Sequence, residues 1–233
     1  MEKLVYVLWK REQDSNEDFA ETLRGEVAKR FLELGTERIS MNLADAHVKY
    51  AEKSRMTRLD PPPSGTISFW LDLADDRASY QAELERVTSR LAGYLVVESV
   101  PLRNTTRPAP LGERVPGTNV VALIEKPDWI DYDAWLAHWH GHHRVVALET
   151  QSTYLYIRNV VVRPLTQDAP PWKGIVEEGF PTEAVGDPML WYDAGGSKEK
   201  MQENLGRMIE SCKAFLDLDR VESHPMSEYR IKE

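Results

Sequence analysis

The chain has 233 residues, a formal net charge of −9, a hydrophobic content of 42% and a single cysteine. This hydrophobic content excludes a disordered chain, and the acidic balance argues against nucleic acid or a membrane as a partner, since both favour clustered Lys and Arg. A lone Cys212 excludes an internal disulfide and a cysteine-based metal cluster. No apolar run approaches the ~20 residues that span a bilayer and the N-terminus does not resemble a signal peptide, so we expect a soluble cytoplasmic protein.

The first half of the chain predicts two strand–helix–strand units. Residues 3–10 form a strand rich in Val, Leu and aromatic residues, and Ser15 caps a helix in which apolar residues recur every four positions from Phe19 to Phe31. The remaining elements are, in chain order, a strand at 37–44 that 47–56 extends, a proline-rich turn at 60–65, a strand at 66–73, a helix at 79–94 and a strand at 95–102.

The stretch "RNTTRPAPLGERVPGT" (103–118) then interrupts the pattern, and the same order of elements starts again after it. Its prolines and glycines predict a connection between two halves. The predicted elements of the second half are a strand at 119–126, a helix at 131–149 with Asp131 as N-cap, a strand at 152–162, a strand at 174–180, a helix at 197–218 and a strand at 220–231.

The order β-α-β-β-α-β therefore occurs twice, and this order is typical of a ferredoxin-like unit. We predict an α+β fold of two tandem ferredoxin-like repeats, at 1–104 and 119–233, joined by a linker at 105–118. Each repeat has one sheet face covered by helices, so the two antiparallel sheets are expected to pack face to face as an α+β barrel. Two unrelated α+β domains in tandem are the alternative.

The segment "HWHGHH" (138–143) holds four of the six histidines and lies in the predicted helix 131–149. At ~3.6 residues per turn, His143 falls inside the apolar sector that contains Trp135 and Trp139. His142 lies on one edge of this sector with His138 just beyond it, and His140 lies off the opposite edge. Only His143 is expected to point toward the sheet.

Aligning Phe19 with Trp135 places Val27 of the first half at the position of His143. The fold therefore does not require a histidine there. A satisfied core histidine is one interpretation, and a group that transfers protons near neutral pH is the other. His138 and His142 stand four apart, a spacing that can hold zinc, but no third ligand is evident, so we expect no metal site.

The segment "DYDAWLAHWHGHHRVVALETQSTYLYIRN" resembles the EthD domain, a member of the dimeric α+β barrel superfamily. The resemblance is carried by an aromatic residue, a tryptophan and a histidine at four-residue intervals, which are Trp135, Trp139 and His143 here. It covers about 119–231, whereas the first half matches only in the order of its elements. It implies two sheets packed as a barrel within one chain, a pocket between helices and sheet in each half, and cofactor-free chemistry in some relatives; a homodimer is left open.

From these features we predict a lyase, isomerase or cyclase that needs no cofactor and acts on a small apolar molecule, aromatic or polyketide-like. His143 would move the proton, with Tyr154 and Tyr156 on one face of the adjacent strand as its partners. Further residues are predicted to contact the substrate: Trp135, Trp139, His142, Glu149, Trp191 and Tyr192, the last two in a lid at 183–198. The alternatives are a non-catalytic accessory protein of a monooxygenase pathway, and a haem-dependent oxidoreductase with a histidine ligand.

Overall fold

The computed structural model describes residues 1–233. Eight strands make up its central sheet, and all of them lie within or close to the predicted positions. The strands are β1 (Glu2–Lys10), β2 (Ile39–Leu43), β3 (Gly65–Leu71), β4 (Thr88–Leu102), β5 (Thr118–Ile124), β6 (Leu155–Pro164), β7 (Gly174–Phe180) and β8 (Glu222–Lys232).

Five helices flank the strands, and two of them contain a π-helical segment. The helices are α1 (Asn16–Thr22, π-helical Leu23–Val27, Ala28–Glu33), α2 (Ala78–Val87), α3 (Tyr132–Ala137, π-helical His138–His143, Arg144–Thr150), α4 (Pro188–Trp191) and α5 (Lys198–Lys213). The predicted caps are confirmed, because the Ser15 side chain accepts from the Asp18 N–H and that of Asp131 from the Ala134 N–H. None of the helices combines the length and the apolar character needed to cross a bilayer.

The strands close into a barrel in the order β1-β3-β2-β8-β5-β7-β6-β4, and every neighbouring pair is antiparallel. Within each half the order is the same, β4-β1-β3-β2 in the first and β8-β5-β7-β6 in the second, which is the order of a ferredoxin-like unit. The β2–β8 and β4–β6 pairs join the halves. The predicted α+β barrel is thereby confirmed.

Strict alternation along each strand separates two environments. In β1, Leu4, Tyr6 and Leu8 pack outward against α1 and α2, whereas Val5 and Val7 point into the barrel and pack with residues of both halves. The second half repeats this arrangement, with α3 and α5 packed against β5, β6 and β7. Because the strands are covered on both faces, even charged residues of the sheet are largely withdrawn from water.

Two predictions about elements are wrong in detail. The helix predicted at 79–94 ends at Val87, because Thr88–Val96 pair with β1 and are needed to close the barrel. The segment after β2 is a 3-10 helix, Ala46–Ser54, rather than a continued strand, with Asp45 as its N-cap. The 105–118 segment connects β4 to β5 without a helix or strand of its own, and the N–H groups of Gly112 and Val115 donate to β8 carbonyls.

Candidate functional site

The histidines of the "HWHGHH" segment fall on different sides of α3. His143 Nδ1 lies 3.0 Å from the Ser211 hydroxyl of α5, and its ring centroid is 4.8 Å from that of Phe215. His138 Nε2 lies 3.0 Å from the Ser211 carbonyl oxygen, and His142 is exposed and packs on the His138 ring. His138 and His143 therefore face α5, whereas His142 lies at the surface.

His143 is an unfavourable proton-transfer group in this environment. Burial, followed by the neighbouring charges of His138, His142 and Arg158, lowers the pKa of His143 to about 4. Its ring packs against Ser211 of α5 and against Phe215, and the residue is only partly exposed. His140, on the sheet side, also has a pKa lowered to about 4, by burial and by Arg158 and Arg144.

Trp135 and Trp139 form the centre of the core between α3, α5 and the sheet. Both are almost completely buried, their ring centroids are 5.0 Å apart, and the Trp135 ring also packs on Phe215. The Trp139 indole N–H donates to the Tyr156 hydroxyl at 3.2 Å. The structure thus places the two tryptophans in packing positions, with Trp139 orienting Tyr156.

The prediction that Tyr154 and Tyr156 share one strand face is wrong. Tyr154 precedes β6, its hydroxyl donates to the Pro116 carbonyl, and its ring lies over Gly179. Tyr156 is inside β6 and points toward α3, in a different apolar cluster. Alternation fails here because the Thr153 hydroxyl bonds to the Leu155 carbonyl and bends the chain before the ladder begins.

Glu149, Trp191 and Tyr192 take different positions. Glu149 is exposed and pairs with Arg207 on the surface. Trp191 stacks on Phe180 with centroids 3.8 Å apart and ring planes 15° apart. Trp191 and Tyr192 both border a cleft of about 330 Å³, which we call the aromatic cleft. Its apolar lining is Met56, Val120, Ala184, Val185, Pro188, Trp191, Tyr192 and Pro225.

The floor of the aromatic cleft continues into a row of side chains that crosses the sheet on its helix-covered face. Pro225 of β8 pairs with Val120 of β5, Val120 pairs with Glu178 of β7, and Glu178 pairs with Tyr156 of β6. Directly opposite residues in antiparallel strands have Cβ atoms about 5 Å apart. Glu178 therefore lies one strand beyond the cleft floor, between Val120 and Tyr156.

Glu178 is the most chemically distinctive residue of this row. Its carboxyl forms no hydrogen bond or ion pair within the protein, and the residue stays partly accessible. Burial raises the pKa of the Glu178 carboxyl to about 7. Burial, with the nearby charge of Glu178, raises the pKa of Cys212 to about 12 and also raises the pKa of Tyr156. Glu178 does not itself line the aromatic cleft but pairs with Val120, which does. A carboxyl with a pKa near neutrality is suited to accept and return a proton.

Two phenol groups belong to the apolar cluster on this side of the sheet, and one of them, Tyr156, is directly opposite Glu178 in the strand pairing. Tyr156 accepts from Trp139, so its own O–H proton is not engaged, and the Tyr192 hydroxyl has no hydrogen-bond partner in the protein. Tyr192 both lines the aromatic cleft and packs against the cluster that holds Tyr156, and it therefore connects the two. The arrangement offers a neutral-range acid or base with two free hydroxyl donors.

The sequence reasoning missed Glu178, although a signal was present. In "GIVEEGF" two glutamates are adjacent, and in a strand one of them must share a face with Val176 and Phe180. A charged residue between two apolar ones on a face is expensive unless it has a role. Val120 and Pro225 carried no comparable signal, because only the strand pairing brings them together.

Haem does not fit between α3 and the sheet in this structure. The space between α3 and the sheet is filled by Trp135 and Trp139, and the His143 ring packs on Phe215 with its Nδ1 engaged by Ser211. No group of three or more His, Cys, Asp or Glu side chains lies close enough together to hold a metal ion.

The closed eight-stranded antiparallel barrel with helices outside is an α+β barrel fold. A solved structure described as an anthrone oxidase-like protein superposes with a TM-score of 0.53 at 8% identity, covering 100% of this chain and 93% of that one. One from Fusobacterium nucleatum, provisionally described as a monooxygenase, superposes with a TM-score of 0.51 at 8% identity, covering 99% and 92%. At these identities the likeness shows the fold alone. No family model matches the sequence, and no curated protein does.

Proposed function

We propose that the protein is a proton-transfer enzyme that binds a small, largely apolar molecule in the aromatic cleft, with Glu178 as its general base and acid. The observation that carries the proposal is the unpaired Glu178 carboxyl with a pKa of about 7, one strand beyond the cleft floor. This keeps the cofactor-independent lyase, isomerase or cyclase chemistry expected from the sequence but moves the proton from His143 to Glu178.

In the proposed reaction the Glu178 carboxylate removes a proton from a carbon next to a carbonyl group. The electron pair of the broken C–H bond moves onto the carbonyl oxygen, where the free hydroxyls of Tyr156 and Tyr192 donate hydrogen bonds to the developing oxyanion. The protonated Glu178 then returns the proton to the same or another carbon. Isomerisation and ring closure both follow from this step, and neither consumes an oxidant.

The lining of the cleft supports an apolar, aromatic substrate. Trp191 offers an aromatic wall already ordered by stacking on Phe180, and Pro188 and Val185 complete it. Membership of the EthD-like branch of the fold is part of the same proposal, supported by the pattern Trp135, Trp139 and His143 and by no family model.

The test uses β-tetralone, an aromatic ketone with an acidic C–H group next to the carbonyl. In heavy water, the protein is expected to accelerate deuterium incorporation at that carbon, followed by NMR. Glu178→Gln keeps the shape of the side chain but removes the base, and it should reduce the enzymatic exchange rate by about 10²- to 10⁴-fold.

Glu149→Gln is the matched control, because Glu149 is an exposed carboxylate of the same half and lies away from the cleft. It should leave the exchange rate unchanged. Binding of the ketone without any acceleration would contradict the proposal and would favour a carrier or accessory protein. Exchange that is equally fast in Glu178→Gln would exclude Glu178 as the base.

A further inference from the structure

A second cleft lies on the opposite face of the sheet, at one end of the barrel interior. Most of the interior is apolar and contains Val5, Val7 and Tyr94. At this end it becomes polar, and a cleft of about 370 Å³ opens to solvent. We call it the polar mouth; Lys3, Glu98, Glu177 and Glu228 form its floor, and Arg38 and Arg103 stand at its rim.

One carboxylate of the floor is fully satisfied. Glu177 accepts from Asn42 Nδ2 at 2.9 Å and from Asn159 Nδ2 at 3.1 Å, and Lys3 Nζ lies 3.7 Å away. Lys3 is committed more closely to Glu98, at 2.5 Å. These contacts hold the floor rigid, and the one buried cation of the floor is already used.

Glu228 has no such partner. It is only 8% exposed, and its Oε2 atom is buried without any hydrogen bond. Burial and the neighbouring Glu177 raise the pKa of Glu228 to about 7. A buried polar atom without a partner destabilises the fold, so a donor from outside the chain would stabilise it.

Two further unpartnered atoms behind the floor are acceptors as well, and they outnumber the one unpartnered donor of the polar mouth, Arg230 Nε. Asn119 Oδ1 and Asn159 Oδ1 are buried without hydrogen bonds, although the amide nitrogens of both side chains are engaged. An excess of acceptors can be met only by donors, such as an ammonium group. A metal ion is not the complement, because these side chains do not converge closely enough to hold one.

The rim of the polar mouth carries unpaired cations, in contrast to the unpaired acceptors of its floor. Arg38 and Arg103 are exposed and neither forms an ion pair with a carboxylate, while Arg38 packs over the Trp70 ring. Guanidinium groups without partners favour a carboxylate. A ligand that satisfies both floor and rim therefore carries a cationic donor at one end and an anion at the other.

We propose that the polar mouth binds a small ω-amino carboxylate, with its ammonium group on Glu228 and its carboxylate at Arg38 and Arg103. This site is separate from the aromatic cleft, since the two open on opposite faces of the sheet and share no lining residue. It is independent of the proton-transfer function.

Isothermal titration calorimetry with glycine, γ-aminobutyrate and δ-aminovalerate tests the proposal. At least one of the two longer amino acids should bind with a Kd in the millimolar range or below, and butylamine and butyrate should each bind at least about tenfold more weakly. Glu228→Gln and Arg103→Gln should each weaken binding by about tenfold or more. Arg103 is exposed, so the second variant does not depend on core packing.

Glu113→Gln is the matched control, because Glu113 is an exposed carboxylate that lines neither cleft; it should bind as the wild type does. The deuterium exchange of β-tetralone should be unchanged in Glu228→Gln, which separates this proposal from the proton-transfer function. The proposal is overturned if no amino acid binds, if butylamine binds as well as the zwitterions, or if Glu228→Gln binds with unaltered affinity.

Discussion

Glu177 and Glu178 are neighbours in β7, yet they serve different parts of the molecule. Glu177 points into the barrel and is held by Asn42 and Asn159, whereas Glu178 points toward the helices and has no partner. The two carboxyl groups differ in the number of hydrogen bonds they accept. Hydrogen bonds stabilise the charged form of a carboxyl group, and burial without them destabilises it. The unpaired residue is the one that can exchange a proton near neutral pH.

Burial shifts the pKa of His143 in the opposite direction from that of Glu178. Its ring is packed between α3 and α5, and burial lowers its pKa to about 4, so it is neutral at physiological pH. The equivalent position of the first half is Val27, which is completely buried in the corresponding core. We therefore interpret His143 as a core histidine satisfied by Ser211.

The pH dependence of the exchange reaction distinguishes these two residues. A general base acts when it is deprotonated, so the exchange rate should rise with pH and reach half its maximum near pH 7, the pKa of Glu178. With His143 as the base the midpoint would lie near pH 4. NMR exchange rates from pH 4.5 to pH 8.5 check this, and His143→Gln should leave the midpoint in place. A midpoint that moves in this variant would contradict the assignment.

At the scale of elements, α1 and α3 are each interrupted by a π-helical segment at the same position of the two aligned halves. The π-helical segments Leu23–Val27 and His138–His143 occupy equivalent positions, and each contains a glycine, Gly25 in the first and Gly141 in the second. A Cβ atom at either glycine would meet nothing within 4 Å. The glycines are therefore not needed for close packing, and they weaken both helices.

Gly25→Ala and Gly141→Ala should each raise the free energy of unfolding by about 0.5–1 kcal/mol, because alanine restricts the unfolded chain and favours helix. Urea unfolding followed by circular dichroism measures this. Gly174→Ala is the contrasting variant, since a Cβ there would lie 2.6 Å from the Trp139 ring, and it should destabilise the protein by about 1–3 kcal/mol. A loss of stability in Gly141→Ala would show that the π-helical segment requires glycine.

At the scale of the whole molecule, folding buries two sets of titratable groups whose pKa values shift in opposite directions. Burial lowers the pKa of His140, His143 and His224 from 6.5 to about 4, and it raises the pKa of Glu178 and Glu228 from 4.5 to about 7. Between pH 6.5 and 4.5 the histidines bind protons more strongly in the unfolded chain, so they lower stability as the pH falls. The two glutamates bind protons more strongly in the folded chain and act in the opposite direction.

Replacing both glutamates should therefore leave the destabilising effect of the histidines at low pH without an opposing contribution. In Glu178→Gln/Glu228→Gln the free energy of unfolding should fall more steeply between pH 6.5 and pH 5 than in the wild type, by up to about 1.4 kcal/mol per pH unit for each glutamate removed. Urea unfolding at three pH values in this range measures the slopes. Parallel slopes in the two proteins would contradict the assigned pKa shifts.

How much of this molecule could be predicted from its sequence depends on the range of the interactions. The caps at Ser15 and Asp131, the helical periodicity and the order of strands and helices are local patterns, and they led to the correct barrel. The end of α2 at Val87 was missed because pairing of Thr88 and the following residues with β1 overrides their helical propensity. Membership of the EthD family stays a prediction.

The sequence by itself determined the fold class and drew attention to α3 and to the aromatic residues Trp191 and Tyr192. Only the tertiary structure decided which polar residues face each other. Glu178 acquires its pKa from helices and strands distant in the chain, and Glu228 lies at the polar mouth because β8 joins the two halves. Burial and pairing across a barrel are properties of contacts between distant segments, and no local pattern encodes which carboxylate is left without a partner.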